Sequence, residues 1–108
     1  MIRVAIESPY AGGIERNVKY ARECMADSLK RGEAPIASHL LYTQEGILDD
    51  SNSEERKLGI EAGFVWSIQA EKAVFYVDYG YSRGMAEAIS VYKDHNIPME
   101  ERRLYAEK

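Results

Sequence analysis

The chain has 108 residues, enough for one domain, and its 45% hydrophobic and 30% charged residues match an ordinary globular protein with a core of its own. Fourteen Lys and Arg against eighteen Asp and Glu leave a net charge of -4. That argues against a general nucleic-acid binder, which needs a basic face to displace counterions. Cys24 is the only cysteine, so an internal disulfide and a Cys-built zinc site are excluded.

The apolar run in MIRVAIESPY is too short for a signal peptide or a membrane span, so the cytoplasm is the expected location and no membrane partner is expected. Residues 2–6 (IRVAI) read as a strand, and SPYAGG at 8–13 breaks it. Ile14, Val18, Ala21, Met25 and Leu29 then recur at helical spacing, and Gly32 stops the helix. Residues 34–42 (APIASHLLY) read as a second strand followed by a polar loop. Ser51 and Asn52 have capping-box spacing to Glu54 and Glu55. They open a helix running to about residue 70, with Leu58, Ala62, Val65 and Ile68 inward. KAVFYV at 72–77 is the clearest strand, and DYGYSRG at 78–84 is a turn with Ser82 as N-cap. A third helix follows to about residue 95, with Met85, Ile89 and Tyr92 on one face, and residues 99–105 form a short edge strand.

This β-α-β-α-β-α-β order predicts a single α/β domain over 1–108, a mainly parallel sheet of four or five strands between helix layers. Ligands of such sheets bind outside the carboxyl edge, where strand order reverses. The loops expected there carry Glu7, Ser8, Tyr10, His39, Tyr42, Asp50, Asp78, Tyr81, Ser82 and Arg83. Tyrosine offers a ring for stacking and a hydroxyl for hydrogen bonding, as a base or sugar needs. Gly12-Gly13 and Ser82-Arg83-Gly84 open helices, whose free N–H groups suit an anion; taken singly, each glycine is also plain turn chemistry. Neither segment has dinucleotide-fingerprint or P-loop spacing. Asp78 could accept two ribose hydroxyls or simply shape a turn. His39 could meet a phosphate, move a proton, or be satisfied by backbone. His95 suits a helix C-terminus, Cys24 the core, and Phe64 and Trp66 either the core or a dimer contact. The run Glu100-Glu101-Arg102-Arg103 reads as a solvated edge. No spacing makes a metal site, no Ser-His-Asp arrangement is legible, and no cofactor is expected.

IESPYAG, ASHLLYTQEGILDD, ERKLGIEAG and YSRGMAEAI, in this order, resemble the small nucleoside 2-deoxyribosyltransferase-like proteins of bacteria and phages. The resemblance covers nearly the whole chain. It implies a flavodoxin-like, Rossmann-like three-layer sandwich, a pocket for a nucleoside or nucleotide, and frequent homo-oligomers. In the catalytic members a Glu of the last helix attacks the anomeric carbon and forms a covalent glycosyl-enzyme. It falls four residues after the turn glycine, where this chain has Ala88; Glu87 stands one residue, about 100 degrees of helix, away. Glu61 sits where catalytic relatives often carry an acidic helper, and Glu7 is a further carboxylate on the edge.

Two functions follow from different classes. The first is a binder that holds a nucleotide-type molecule, a cyclic nucleotide or an ADP-ribose-derived signal of antiphage defence, and sequesters it without turnover. Arg83, Gly12-Gly13 and the tyrosines would grip it. The alternative is a deoxyribosyltransferase or nucleotide N-glycosidase acting through Glu87, Glu7 or Glu61. A structural domain with a vestigial pocket is the third.

Overall fold

Arg3–Glu7 form the first strand, β1, in the computed structural model, which describes residues 1–105. Helix α1 (Ile14–Lys30) leads to β2 (Ala34–Ile36), a single 3-10 turn at Ser38–Leu40, α2 (Ser53–Ser67), β3 (Lys72–Tyr76), α3 (Arg83–Asp94) and β4 (Met99–Arg102). All three strand pairings are parallel, in the order β2-β1-β3-β4. The chain steps from β1 to one side and then returns to the other, so strand order reverses between β1 and β3. This is the three-layer α/β fold expected, with four strands. No helix among the described residues is long and apolar enough to cross a membrane.

Strand alternation sorts the core into two halves. Val4, Ile6, Val74 and Tyr76 pack with Tyr20 and Cys24 of α1. Ala5, Ala73, Phe75 and Val77 pack with Met85, Ala88 and Tyr92 of α3, and Phe64 of α2 joins them. The N-caps are those the sequence indicates. The Asn52 side chain accepts from the Glu54 and Glu55 amides, and Ser82 Oγ accepts from the Met85 amide.

Four expectations change. The second strand ends at Ile36 and not at Tyr42; Pro35 has no N–H to donate, and the chain then coils into the 3-10 turn. On α1 the buried stripe is Asn17, Tyr20, Ala21, Cys24 and Ser28, while Ile14 and Leu29 are exposed. The polar members of that stripe are satisfied locally: Asn17 donates to the carbonyls of Tyr10, Ala11 and Gly12, Tyr20 to Asp78, and Ser28 to Glu33.

On α2 the faces are reversed. Leu58, Val65 and Trp66 are 56%, 64% and 59% exposed, while Gly59, Gly63 and Ser67 face the protein. A Cβ on Gly63 would come within 2.7 Å of Ser38 Cβ, so the glycines let α2 lie on the 3-10 turn.

The last strand covers only Met99–Arg102, and Arg102 is not a solvated edge residue. Its guanidinium is buried, donates to both Glu33 carboxylate oxygens at 2.9 and 2.7 Å, and reaches the Tyr76 hydroxyl. Lys72 adds a contact to Glu33 at 3.4 Å. These bonds tie β4 to the far side of the sheet. The Arg102 hydrogen bonds hold the Glu33 carboxyl down to about 2.

Candidate functional site

Outside the carboxyl edge, at the β1/β3 reversal, the protein has a cleft with about 190 Å³ of room. That lies below the roughly 300–1,000 Å³ of sites that enclose drug-sized ligands. It suits one ring system, with the rest of a ligand at the mouth. β1 and the turn after it supply Glu7, Ser8, Tyr10 and Ala11. The 3-10 turn and its exit supply Ser38, His39, Tyr42 and Thr43, and the following loop supplies Leu48 and Asp50. α2 supplies Glu55, Arg56, Gly59, Ile60 and Phe64; the N-terminus of α3 supplies Ser82, Arg83, Gly84, Met85 and Glu87.

The floor is built from half-buried Glu7 and His39 set against the buried Ser8 and Tyr92. Glu7 has the parity of Ala5, so it points toward α3, where the Tyr92 hydroxyl donates to its carboxylate. Burial pushes the Glu7 carboxyl up to about 7, although the Tyr92 hydrogen bond pulls the other way. Burial alone brings the His39 imidazole down to about 4, so it is neutral at pH 7. His39 Nε2 shares a hydrogen bond of 3.2 Å with the buried Ser8 hydroxyl, and the Tyr10 ring tilts against the imidazole at 5.7 Å.

The mouth, by contrast, carries formal charges in loose pairs. Arg83 lies 3.6 Å from Glu87 one helical turn on, both well exposed. Arg56 lies 4.0 Å from Asp50. The Asp49 amide donates to Glu55 at 2.8 Å and holds that carboxylate in place.

Ten of the residues singled out in the sequence come together here: Glu7, Ser8, Tyr10, His39, Tyr42, Asp50, Ser82, Arg83, Gly84 and Glu87. Glu87 lines the cleft although its helical phase is one residue from the expected position, and Ala88 at that position is fully buried in the core. Five others lie elsewhere. Asp78 shares the parity of Val74 and Tyr76 and turns to the α1 side. There it accepts from the Tyr20 hydroxyl and the amides of Leu104 and Tyr105 and does not line the cleft. Tyr81 packs on Phe75 and donates to Glu101 beside β4. Glu61 is on the solvent face of α2. Gly12 and Gly13 shape an exposed left-handed turn (φ +74° and +60°) and do not line the cleft.

The sequence reading missed Ser38 and the whole α2 wall. The glycine pair at 59 and 63, four apart on one helical face, was the available signal for that wall. Among the described residues no group of three or more His, Cys, Asp or Glu could hold a metal ion.

The model of one protein family, described as a domain of unknown function (DUF7768), matches residues 2–102, so the chain belongs to that family. No curated protein matches it. Among solved structures, the chain is similar to a 2-deoxyribosyltransferase from the psychrotolerant bacterium Bacillus psychrosaccharolyticus. The TM-score is 0.72 at 13% identity, over 98% of this chain and 75% of that one. The two share a Rossmann-type fold.

Proposed function

We propose that this member of the DUF7768 family binds a nucleoside- or nucleotide-type molecule in the cleft and breaks its N-glycosidic bond through a carboxylate. The observation that carries this is the convergence of two carboxylates, Glu7 at the floor and Glu87 at the mouth, on one small cleft at the strand-order reversal. The fold shared with a 2-deoxyribosyltransferase supports it at the level of architecture. Such a reaction needs a carboxylate to take the anomeric carbon and a route for a proton to the departing base. A ring enclosed by Tyr10, Ile60, Phe64 and Met85 would present its sugar to the mouth.

A second reading, binding and sequestration of a nucleotide signal without turnover, is favoured by Ala88, which occupies the position where the resemblance expects the attacking Glu. Incubation with deoxynucleosides and nucleoside monophosphates separates the two. Thermal shift reports binding, and chromatography reports free base. Base release that Glu87→Ala or Glu7→Gln abolishes, with binding retained, is the expected result. A stabilising ligand recovered intact would overturn the reaction and leave the binder.

The exposed stripe Leu58, Val65 and Trp66 on α2 supports a second copy of the chain as partner. In that case Trp66→Glu lowers the mass seen by sedimentation to that of a monomer, and an unchanged mass removes this face from the interface.

A further inference from the structure

We propose that Glu7 acts from the cleft floor as a neutral proton donor toward the buried ring of the ligand, with the Tyr92 hydroxyl as its positioning partner. This rests on the reading of the cleft as a nucleoside-type site and adds which atom meets the base. The geometry is specific. Glu7 ends β1 with its side chain on the cleft side of the sheet, and its carboxylate accepts from Tyr92, which is itself fully buried. One carboxyl oxygen is engaged by Tyr92, and among the described residues the other has no hydrogen-bond partner, so it can carry a proton toward the cleft that Glu7 lines.

Apart from the Tyr92 hydroxyl, the neighbours do not compensate a negative charge here. From the 3-10 turn comes His39, uncharged at neutral pH, and from the residue after β1 the Ser8 hydroxyl. From α3 the facing groups are Tyr92 and, at the mouth, Arg83 and Glu87, which pair with each other. From α2 and the loop before it come Arg56 paired to Asp50, and Glu55 held by the Asp49 amide. Every cation lining the cleft therefore already has a carboxylate, and Glu7 keeps its proton up to about pH 7 because ionising it in the buried floor is unfavourable.

A protonated carboxyl is a hydrogen-bond donor, which a carboxylate is not. It fits a ring nitrogen or carbonyl acceptor, as nucleobases offer. In turnover the electron pair of the broken N-glycosidic bond stays on the base and the Glu7 proton joins it there. The anomeric carbon is taken by the Glu87 carboxylate as a glycosyl ester. Water then attacks that carbon and its hydroxyl stays on the sugar. The Glu87–carbon bond breaks with its electron pair returning to the carboxylate, and the proton of the water returns to Glu7.

Two measurements on the intact chain test this. Carbon-detected NMR follows the Glu7 carboxyl in the ligand-free protein, and calorimetry follows deoxyadenosine, thymidine and their 5′-monophosphates from pH 5.5 to 8.5. The expected result is a Glu7 midpoint near 7. For the two uncharged nucleosides, affinity is then level below it and falls about tenfold per pH unit above it, because one proton is required. In Glu7→Gln, which keeps an N–H donor, the affinity is flat with pH. In Tyr92→Phe the midpoint moves up, because the hydrogen bond that favoured the carboxylate is gone; a purely structural role for Tyr92 would leave it in place. If a probe binds with an affinity flat in pH for the unaltered chain, or Glu7 titrates near its ordinary 4.5, this assignment alone fails. If none of the four probes binds at any pH, the nucleoside reading fails and takes this one with it.

Discussion

Glu7→Gln should make the protein more stable above neutral pH while leaving it unchanged in mild acid. An unfolded Glu ionises near 4.5, but the folded chain keeps the Glu7 proton up to about 7. Between those values the folded state holds more protons than the unfolded one, so stability falls as pH rises through the window. At about 1.4 kcal/mol per pH unit, the loss approaches about 3 kcal/mol, with the Tyr92 hydrogen bond already counted in the value near 7. His39 runs the other way. Its folded value of about 4 against an ordinary 6.5 makes stability rise with pH over an almost overlapping window, and by about the same amount. In the unaltered chain the two slopes nearly cancel, so its pH–stability curve hides both groups. Glu7→Gln removes one slope and exposes the other. Urea unfolding followed by circular dichroism, from pH 4.5 to 8.5, reads the difference directly. The variant and the parent should coincide at the acid end, and the variant should lead by up to about 3 kcal/mol at pH 8. A difference that stays constant across the range would refute the reasoning, because then Glu7 would not hold its proton in the fold.

Arg102→Met should destabilise by about 3 kcal/mol at pH 7, since it leaves the Glu33 carboxylate with only the Ser28 hydroxyl and Lys72 as partners. It should also flatten the acid limb of urea stability, because the contribution of Glu33 is complete above 4.5 and lost as pH falls toward about 2. Gly63→Ala places a methyl 2.7 Å from Ser38 Cβ; it should cost about 1–3 kcal/mol by thermal melting and weaken binding of any cleft ligand, because the turn carrying His39 must move. Asp78→Asn should lower the melting temperature by weakening the hold on Leu104 and Tyr105, yet leave the affinity of a cleft ligand as it was. A loss of affinity there would return Asp78 to the site.

The alternation of strands and helices, the Asn52 and Ser82 caps and the edge on which the loops gather were all legible, because each rests on local chemistry that the neighbours do not override. What was not legible turns on tertiary partners. The apolar positions of α2 suggest an inward stripe of Leu58, Ala62 and Val65. The helix instead buries glycines, because only a surface without Cβ atoms can approach Ser38 so closely. Glu7 ends β1, and Asp78 follows β3 by two residues, at the same edge of the sheet. Strand parity sends Glu7 to the cleft and Asp78 to α1, a distinction available from counting along β1 and β3 once their shared face is known. Arg102 sits in a run of charges that reads as solvent-facing. Its partner Glu33 is 69 residues away, and no pattern in the sequence announces such a pair.

The contrast between floor and mouth also bears on how a ligand would lie. At the floor, Glu7 and His39 are both driven toward their neutral forms by burial, and Ser8 adds a hydroxyl. An anionic group placed there would find no cation and would itself lose hydration, which is costly without a partner. At the mouth, Arg56 and Arg83 each face a carboxylate at the long end of ion-pair distance, in contacts that solvent screens and that exchange readily. A phosphate reaching either arginine would replace a loose pair with a charge-assisted hydrogen bond. A ligand with one neutral ring and one polar or anionic end is therefore oriented by the cleft before any residue recognises it in detail: ring toward Glu7, charged end toward the arginines. Under the proposed reading, Glu7 at the floor would serve the departing ring and Glu87 at the mouth the sugar.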